Sequence, residues 1–436
     1  NGDEWGVYCH FKATPESYSS YHVASLHDGA PPSLTPLSER MREGTRSLGF
    51  RHILWTTITH SHPWHPEKKG RPLRTDRLDW LVQPPVAGFD PESFRESGRW
   101  MERVRQYIPV TCLPNPEYLD WLSETIIGLV ERYGFDGWCM DAGFGGRPFD
   151  GGPFIQYGFP CSRMICRSPD HGHVVGDNTH ASLQALAELV RRVRQRYPDI
   201  FVELMRPPMD LSIWSLRHTD TCFTVDEFAA PEPLPGLCGQ PLNVIFGDKI
   251  RRWSRIRVHR HFFPHWMDQP QLFSTRKLMR QAGIEQDGWP WESAGLDYIL
   301  LSAMSCSPNL LFYLPSKTGI PDADGRIMKH WMHWGRSNTA YLFERRDLPE
   351  WPGLGVVDGS AHLRNGTGWV FLFNPNDETL SASFCCDDTL GFDARAAVRI
   401  AQYHPESGEQ RNVAYGETIR WAVPARSAML LRVEKR

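Results

Sequence analysis

The chain has 436 residues, of which 41% are hydrophobic and 23% charged, and its formal net charge is −3. This length exceeds one compact core and predicts one large domain with one smaller one. No apolar run approaches the roughly 20 residues of a membrane span, and the balanced charge excludes the concentrated basic surface of a nucleic-acid binder. The 17 Trp residues fit a glycan site, since sugar rings present an apolar face that packs on aromatic rings.

Short apolar runs alternate with amphipathic helical stretches, a pattern typical of a parallel sheet with crossover helices. Two helices are well marked: 116–133, with Gly134 as its C-cap, and 179–197. The third and seventh of the predicted strands carry the weakest pattern. The eight strand candidates are 5–11, 52–59, 110–113, 137–141, 200–205, 221–225, 261–266 and 309–314.

After Phe343 the pattern changes to short alternating runs separated by turns rich in Asn, Asp and Gly. Such runs are typical of an antiparallel β-sandwich. The sequence therefore predicts an α/β fold: a (β/α)₈ TIM barrel over residues 1–345, followed by a C-terminal antiparallel β-sandwich over residues 346–436.

Two of the predicted barrel strands end in carboxylate residues. Asp141 ends the run Phe-Asp-Gly-Trp-Cys-Met-Asp, and Asp226 with Glu227 ends Thr-Cys-Phe-Thr-Val-Asp-Glu. Active sites of such barrels lie at the carboxyl ends of the strands, and two carboxylates across a sugar are the minimum equipment for glycosidic cleavage. The alternative is that each Asp only caps the helix that follows its strand.

Several segments resemble glycoside hydrolase family 36, which contains α-galactosidases and relatives of raffinose synthase. They are Asp-Trp-Leu-Val-Gln-Pro from Asp79, the Asn115-Pro116 pair with Glu-Tyr-Leu-Asp-Trp-Leu after it, and the strand that ends at Asp141. The resemblance implies that Asp141 is the nucleophile and Asp226 the acid/base of a retaining mechanism, with Glu227 as the reserve acid/base.

The chain also departs from that family. Cys139 stands where the family has a Lys two residues before the nucleophile, and the second strand runs into Thr-Ile-Thr-His instead of an acidic motif. Both changes remove expected sugar contacts, so the sequence indicates an atypical or modified sugar. Strand-end positions give these sugar-binding candidates: Trp55, His60, His62, Trp138, Cys139, Glu203, Arg206, His265 and Trp266.

A further cluster, Cys161, Cys166, His171 and His173, follows the fourth strand. Cys and His are the usual ligands of structural zinc, but this spacing matches no common zinc motif. Zinc, a local disulfide and free side chains all remain open at this point. We expect no cofactor and assign no metal to the catalytic site.

The preferred function is a retaining glycoside hydrolase, an α-galactosidase-like exo-glycosidase whose partner is an oligosaccharide or glycoside. Three alternatives remain: a transglycosylase of the raffinose-synthase type, a catalytically silent glycan-binding barrel, and a barrel enzyme whose His-rich loops hold a metal.

Overall fold

The computed structural model describes residues 19–26, 32–34, 36–47, 50–58, 76–81, 111–141, 166, 168–176, 178–205, 217–223, 240–261, 263–272, 295–312, 321–394 and 397–436. The chain divides into two compact units, of which the first contains Ser20–Cys222 and the second Phe223–Arg436. It is a mixed α/β protein with a parallel sheet region followed by antiparallel sheets.

The first unit is built on a six-stranded sheet with strand order β2-β1-β3-β4-β5-β6. Strands β3, β4 and β5 are parallel neighbours, whereas β1 and β2 are antiparallel. The strands are β1 (Ser19–Ser25), β2 (Ser33–Leu34), β3 (Arg51–Thr57), β4 (Gly137–Asp141), β5 (Phe201–Met205) and β6 (Thr221–Phe223).

The described helices of the first unit are α1 (Pro36–Arg46), α2 (Pro116–Tyr133) and α3 (Asn178–Arg196). Helix α2 has the predicted bounds, because its ends carry strong local signals: the Asn115 side chain accepts a hydrogen bond from the Tyr118 backbone N–H at 3.1 Å. At the other end Gly134 adopts the left-handed conformation, with φ of 63°, that glycine favours. None of the helices in the described ranges combines the length and apolar character needed to cross a bilayer.

The helices of the second unit are α4 (Leu242–His261), α5 (Leu296–Cys306), α6 (Asp322–Ser337) and α7 (Thr339–Leu342). Helix α5 is buried along its whole length, and α4 and α6 pack against it. Two short parallel strands accompany these helices, β7 (Gln271–Leu272) and β8 (Leu311–Phe312).

The antiparallel strands of the second unit begin at Arg345, next to the predicted domain boundary. One sheet has strand order β14-β13-β16-β11-β10-β9, and β12 pairs with β15 in another. Side chains of both sheets, among them Leu372, Phe384 and Trp421, share one buried core. The strands are β9 (Arg345–Asp347), β10 (Asp358–Arg364), β11 (Thr367–Asn374), β12 (Leu380–Cys385), β13 (Val398–His404), β14 (Gln410–Val413), β15 (Thr418–Val423) and β16 (Ser427–Lys435).

Two of the strand predictions are wrong. Where 110–113 was expected to be a strand, Thr111 forms only an isolated antiparallel bridge with Leu81, and the chain then turns into α2. Pro114 and Pro116 lack the N–H that would continue a ladder. Where 261–266 was expected to be a strand, α4 extends to His261 and a 3₁₀ turn spans His265–Met267.

The fourth strand has the predicted bounds, and β3, β5, β6 and β8 fall within or beside their predicted ranges. The predicted strand 5–11 lies outside the described residues. The closed eight-stranded barrel stays a prediction. Of its expected strands, the structure describes the parallel sets β3–β5 and β7–β8.

Candidate functional site

Asp141 is the last residue of β4, and its register partner Thr57 is the last residue of the parallel strand β3. Two carboxyl ends of neighbouring strands therefore meet at one edge of the sheet. This edge is where parallel α/β folds place their ligands. The structure describes the backbone of Asp141, whereas its side chain lies outside the described part.

Immediately below this edge, Trp55, Cys139 and Glu203 are register neighbours on β3, β4 and β5. The Cys139 Sγ–H donates to the Glu203 carboxylate at 3.3 Å. Cys139 is 1% exposed and Glu203 0% exposed. A buried carboxyl group needs such partners, so Cys139 and Glu203 form a buried polar pair inside the sheet.

Trp138 lies in the core of the first unit, where its indole N–H donates to Thr56 Oγ1 on the neighbouring strand at 2.9 Å. Its ring is fully buried. The bond supplies the hydrogen-bond partner that a buried indole requires and ties β4 to β3.

His265 and Trp266 belong to the second unit, in the 3₁₀ turn that follows α4. The His265 Nε2–H donates to the Leu342 carbonyl at 3.3 Å. Burial lowers the pKa of His265 to about 4. Trp266 is 45% exposed, so its indole offers an aromatic face to solvent.

The remaining sequence-derived candidates lie outside the described residues. They are the carboxylates Asp226 and Glu227, the sugar-binding candidates His60, His62 and Arg206, and Cys161 of the Cys/His cluster. Among the described sugar-binding candidates, the structure places Trp55, Cys139 and Glu203 side by side on neighbouring strands.

A Cys/His cluster forms elsewhere in the first unit, from Cys166, His171, His173 and a residue that the sequence reasoning missed, Cys112. One potential ligand atom from each residue lies within 4.8 Å of those of all the others. Zinc motifs are recognised by short spacings between Cys and His residues, and Cys112 lies too far upstream of the other three to be found in this way. The sequence did show that Cys112 lies just before Asn115-Pro116, the pair that marks the start of α2.

Hydrogen bonding connects the members of this cluster. Cys112 Sγ lies 3.3 Å from His173 Nε2, and Cys166 Sγ lies 3.2 Å from His171 Nδ1. The hydrogen bond from Cys112 lowers the pKa of the Cys166 thiol, and the same bond, with burial, raises the pKa of Cys112. The bond to Cys166 also raises the pKa of His171. Together these shifts favour a thiolate at Cys166.

Comparison with known proteins identifies similar structures, although no protein-family model matches the sequence and no curated protein matches it. A GH36 α-galactosidase variant from Geobacillus stearothermophilus, in complex with raffinose, superposes with a TM-score of 0.56 at 12% identity, over 91% of this chain and 46% of that one. The chain thus spans about half of that enzyme.

Two further glycoside-cleaving enzymes are similar over most of their own length. A Nostoc punctiforme debranching enzyme, soaked with acarbose, gives a TM-score of 0.53 at 13% identity, over 92% of this chain and 79% of that one. An α-amylase from Geobacillus thermoleovorans, complexed with acarbose, gives 0.50 at 12% identity, over 91% of this chain and 80% of that one. This chain has the fold of glycoside hydrolases.

Proposed function

We propose that the protein is a retaining glycoside hydrolase, an α-galactosidase-like exo-glycosidase that acts on an atypical or modified sugar. The observation that carries the proposal is Asp141 at the carboxyl end of a parallel strand, in a chain with the fold of glycoside hydrolases. The proposal includes closure of the parallel strands into a (β/α)₈ barrel, the fold in which active sites lie at this end of the strands.

In the proposed mechanism, the Asp141 carboxylate attacks the anomeric carbon while Asp226 donates a proton to the departing glycosidic oxygen. The glycosidic bond breaks as the bond to Asp141 forms. Asp226 then takes a proton from water, whose oxygen attacks the anomeric carbon and releases Asp141. Glu227 is the reserve for the acid/base role.

We assign the sugar-contacting role to Trp55, His60, His62, Arg206, His265 and Trp266. Cys139 and Glu203, together with Trp138, would act as supports beneath the sugar, because each is at most 1% exposed. The Cys139 thiol is a weak donor held by Glu203, which differs from the charged Lys of the family it resembles. A sugar with fewer or altered hydroxyls fits such a site.

The test is turnover of a panel of aryl α- and β-glycosides, including galactosides, N-acetylgalactosaminides, arabinosides and uronides. We expect one sugar to be cleaved by the wild type, and Asp141→Ala to lower kcat by ~10³-fold or more, since it removes the nucleophile. Azide should restore turnover in the variant and yield a glycosyl azide of inverted configuration. The matched control is Asp120→Asn, an exposed carboxylate on α2 that pairs with Arg192.

Three outcomes would count against the proposal. Undiminished cleavage by Asp141→Ala would remove this residue from the mechanism. Transfer of the glycosyl group to an added sugar in preference to water would identify a transglycosylase. Sugar binding by calorimetry without turnover, unchanged in Asp141→Asn, would identify a glycan-binding protein.

A further inference from the structure

We propose that Cys112, Cys166, His171 and His173 bind one Zn²⁺ ion in a closed, structural tetrahedral site. The proposal does not depend on the proposed sugar chemistry.

The separations of the ligand atoms suit a single ion. Tetrahedral zinc with Zn–S bonds of about 2.3 Å and Zn–N bonds of about 2.0 Å requires its ligand atoms to be roughly 3.3–3.8 Å apart. Two of the S···N separations are 3.3 Å and 3.2 Å, and all four atoms lie within 4.8 Å of one another. The longest separation would therefore need to shorten by at most about 1.5 Å when the ion binds.

Both histidines are already oriented as zinc ligands. The Nε2–H of His171 donates to the Asp79 carbonyl at 2.7 Å, so in the neutral ring Nδ1, which lies 3.2 Å from Cys166 Sγ, is the nitrogen available to a metal ion. The Nδ1–H of His173 donates to the Val174 carbonyl at 2.8 Å, which leaves Nε2 facing Cys112. Metal-binding histidines nearly always have this second hydrogen bond, because it fixes the tautomer and the ring orientation.

The backbone around the cluster is held in place from several sides. The Gly176 N–H donates to the Cys166 carbonyl at 3.0 Å, which closes the loop that contains both histidines. The Cys112 N–H donates to the Trp80 carbonyl at 2.8 Å. The ion would thus join Cys112 to the segment that contains Cys166 and both histidines, and hydrogen bonds connect both parts to residues 76–81.

The donor set indicates both the metal and its role. Two thiolates and two imidazoles suit Zn²⁺, whereas Mg²⁺ and Ca²⁺ prefer oxygen ligands. Four protein ligands leave no open position for water or substrate, which is the arrangement of structural zinc. Three of the four residues are buried and His173 is half-buried, so ligand exchange with solvent is restricted.

The test is the metal content of the full chain, expressed with zinc in the medium and purified without immobilised-metal chromatography. We expect one zinc per chain by mass spectrometry, and less than a tenth of that in Cys166→Ala. The matched control is Cys385→Ala, which removes a cysteine outside the cluster and should retain full zinc.

A spectroscopic measurement covers the case in which Cys166→Ala fails to fold. Replacing zinc by Co²⁺ in the wild type should produce thiolate charge-transfer bands and the intense visible bands of a tetrahedral site. The milder variant His173→Ala, which loses the least buried ligand, should lose or shift these bands. The proposal is overturned by a wild type that binds neither zinc nor Co²⁺, by peptide mapping that finds Cys112 and Cys166 joined in a disulfide, or by full zinc in Cys112→Ala/Cys166→Ala.

Discussion

Gly172 separates the two histidines of the Cys/His cluster and adopts a φ of +72°, in the left-handed region that L side chains rarely occupy. A Cβ at this position would lie 3.0 Å from Cγ and 3.2 Å from Cδ of Pro116, at the first turn of α2. Both the backbone angle and the close approach therefore require glycine here.

We predict that Gly172→Ala destabilises the protein by about 1–2 kcal/mol, because alanine must adopt a left-handed backbone and push against Pro116. The measurement is the midpoint of urea unfolding. Gly128→Ala is the control, since Gly128 is exposed within α2 and has open space around it. That control should stabilise the protein by about 0.5–1 kcal/mol. Equal effects of the two variants would contradict the prediction.

At the scale of elements, a buried ion pair joins helix α4 to strand β10 of the second unit. Arg251 donates to both carboxylate oxygens of Asp358, at 2.7 Å and 2.8 Å, and the two side chains are 3% and 2% exposed. The guanidinium also donates to Ser302 and Tyr298 on α5. Its stacking over the Phe373 ring, at 4.0 Å, adds a contact with β11.

Removing one partner of this pair should be costly, because the buried Arg251 charge then keeps only the longer contact with Asp248, at 4.0 Å. We predict that Asp358→Asn lowers the free energy of unfolding by about 3–5 kcal/mol. Asp377→Asn is the control: its ion pair with Arg426 is exposed and should contribute less than about 1 kcal/mol. Urea unfolding of both variants, followed by tryptophan fluorescence, measures the difference. Similar losses in the two variants would show that burial does not set the strength of the pair.

Another element-scale feature is the pairing of α3 with α2. Arg194 and Arg196 lie in the last turn of α3, where basic side chains ordinarily interact with the negative end of the helix dipole. In the structure Arg192 bonds Glu188 within α3 and also Asp120 on α2, while Arg196 pairs with Glu131 on α2. These arginines therefore join two helices, which a reading of α3 alone could not show.

At the scale of the whole molecule, several buried histidines are held neutral. Burial lowers the pKa of His22 and His362 to about 3 and that of His265 to about 4. The unfolded chain, with histidine pKa values near 6.5, binds these protons more readily. Their contribution to stability is therefore complete above pH 6.5 and is lost as the pH falls toward 3. Asp248 opposes this trend, because burial raises its pKa to about 6.

We predict that stability decreases as the pH falls from about 6.5 to 4.5, since among the described groups these three histidines take up protons on unfolding, whereas Asp248 and His171, whose pKa values are raised, release them. Each histidine contributes up to about 1.4 kcal/mol per pH unit. His22→Gln should reduce the slope of stability against pH by an amount corresponding to about one proton taken up on unfolding. The reason is that His22 is buried beside His52 and Arg42, which keeps it neutral in the folded protein. The control is His333→Gln, at an exposed position. Urea unfolding at several pH values measures the slopes, and a stability that rises on acidification would contradict the prediction.

The sequence by itself determined the elements whose signals are local. Helix α2 followed from its apolar spacing, its Asn-Pro start and its terminal Gly134, and β4 followed from an apolar run bounded by glycine and Asp141. The change to antiparallel strands near residue 345 was also visible, since strand alternation and turn residues are properties of neighbouring positions.

Only the tertiary structure decided which distant residues meet. It joined Cys112 to Cys166, His171 and His173, and it placed Cys139 beside Glu203 on the next strand. Neither pairing follows from spacing, because it depends on strand register and on the path of loops over the sheet. The predicted strands at 110–113 and 261–266 were wrong for a related reason: a weak apolar pattern does not identify its own hydrogen-bond partners. The first segment forms only a bridge and a turn with prolines, and the second is occupied by the end of α4 and a 3₁₀ turn.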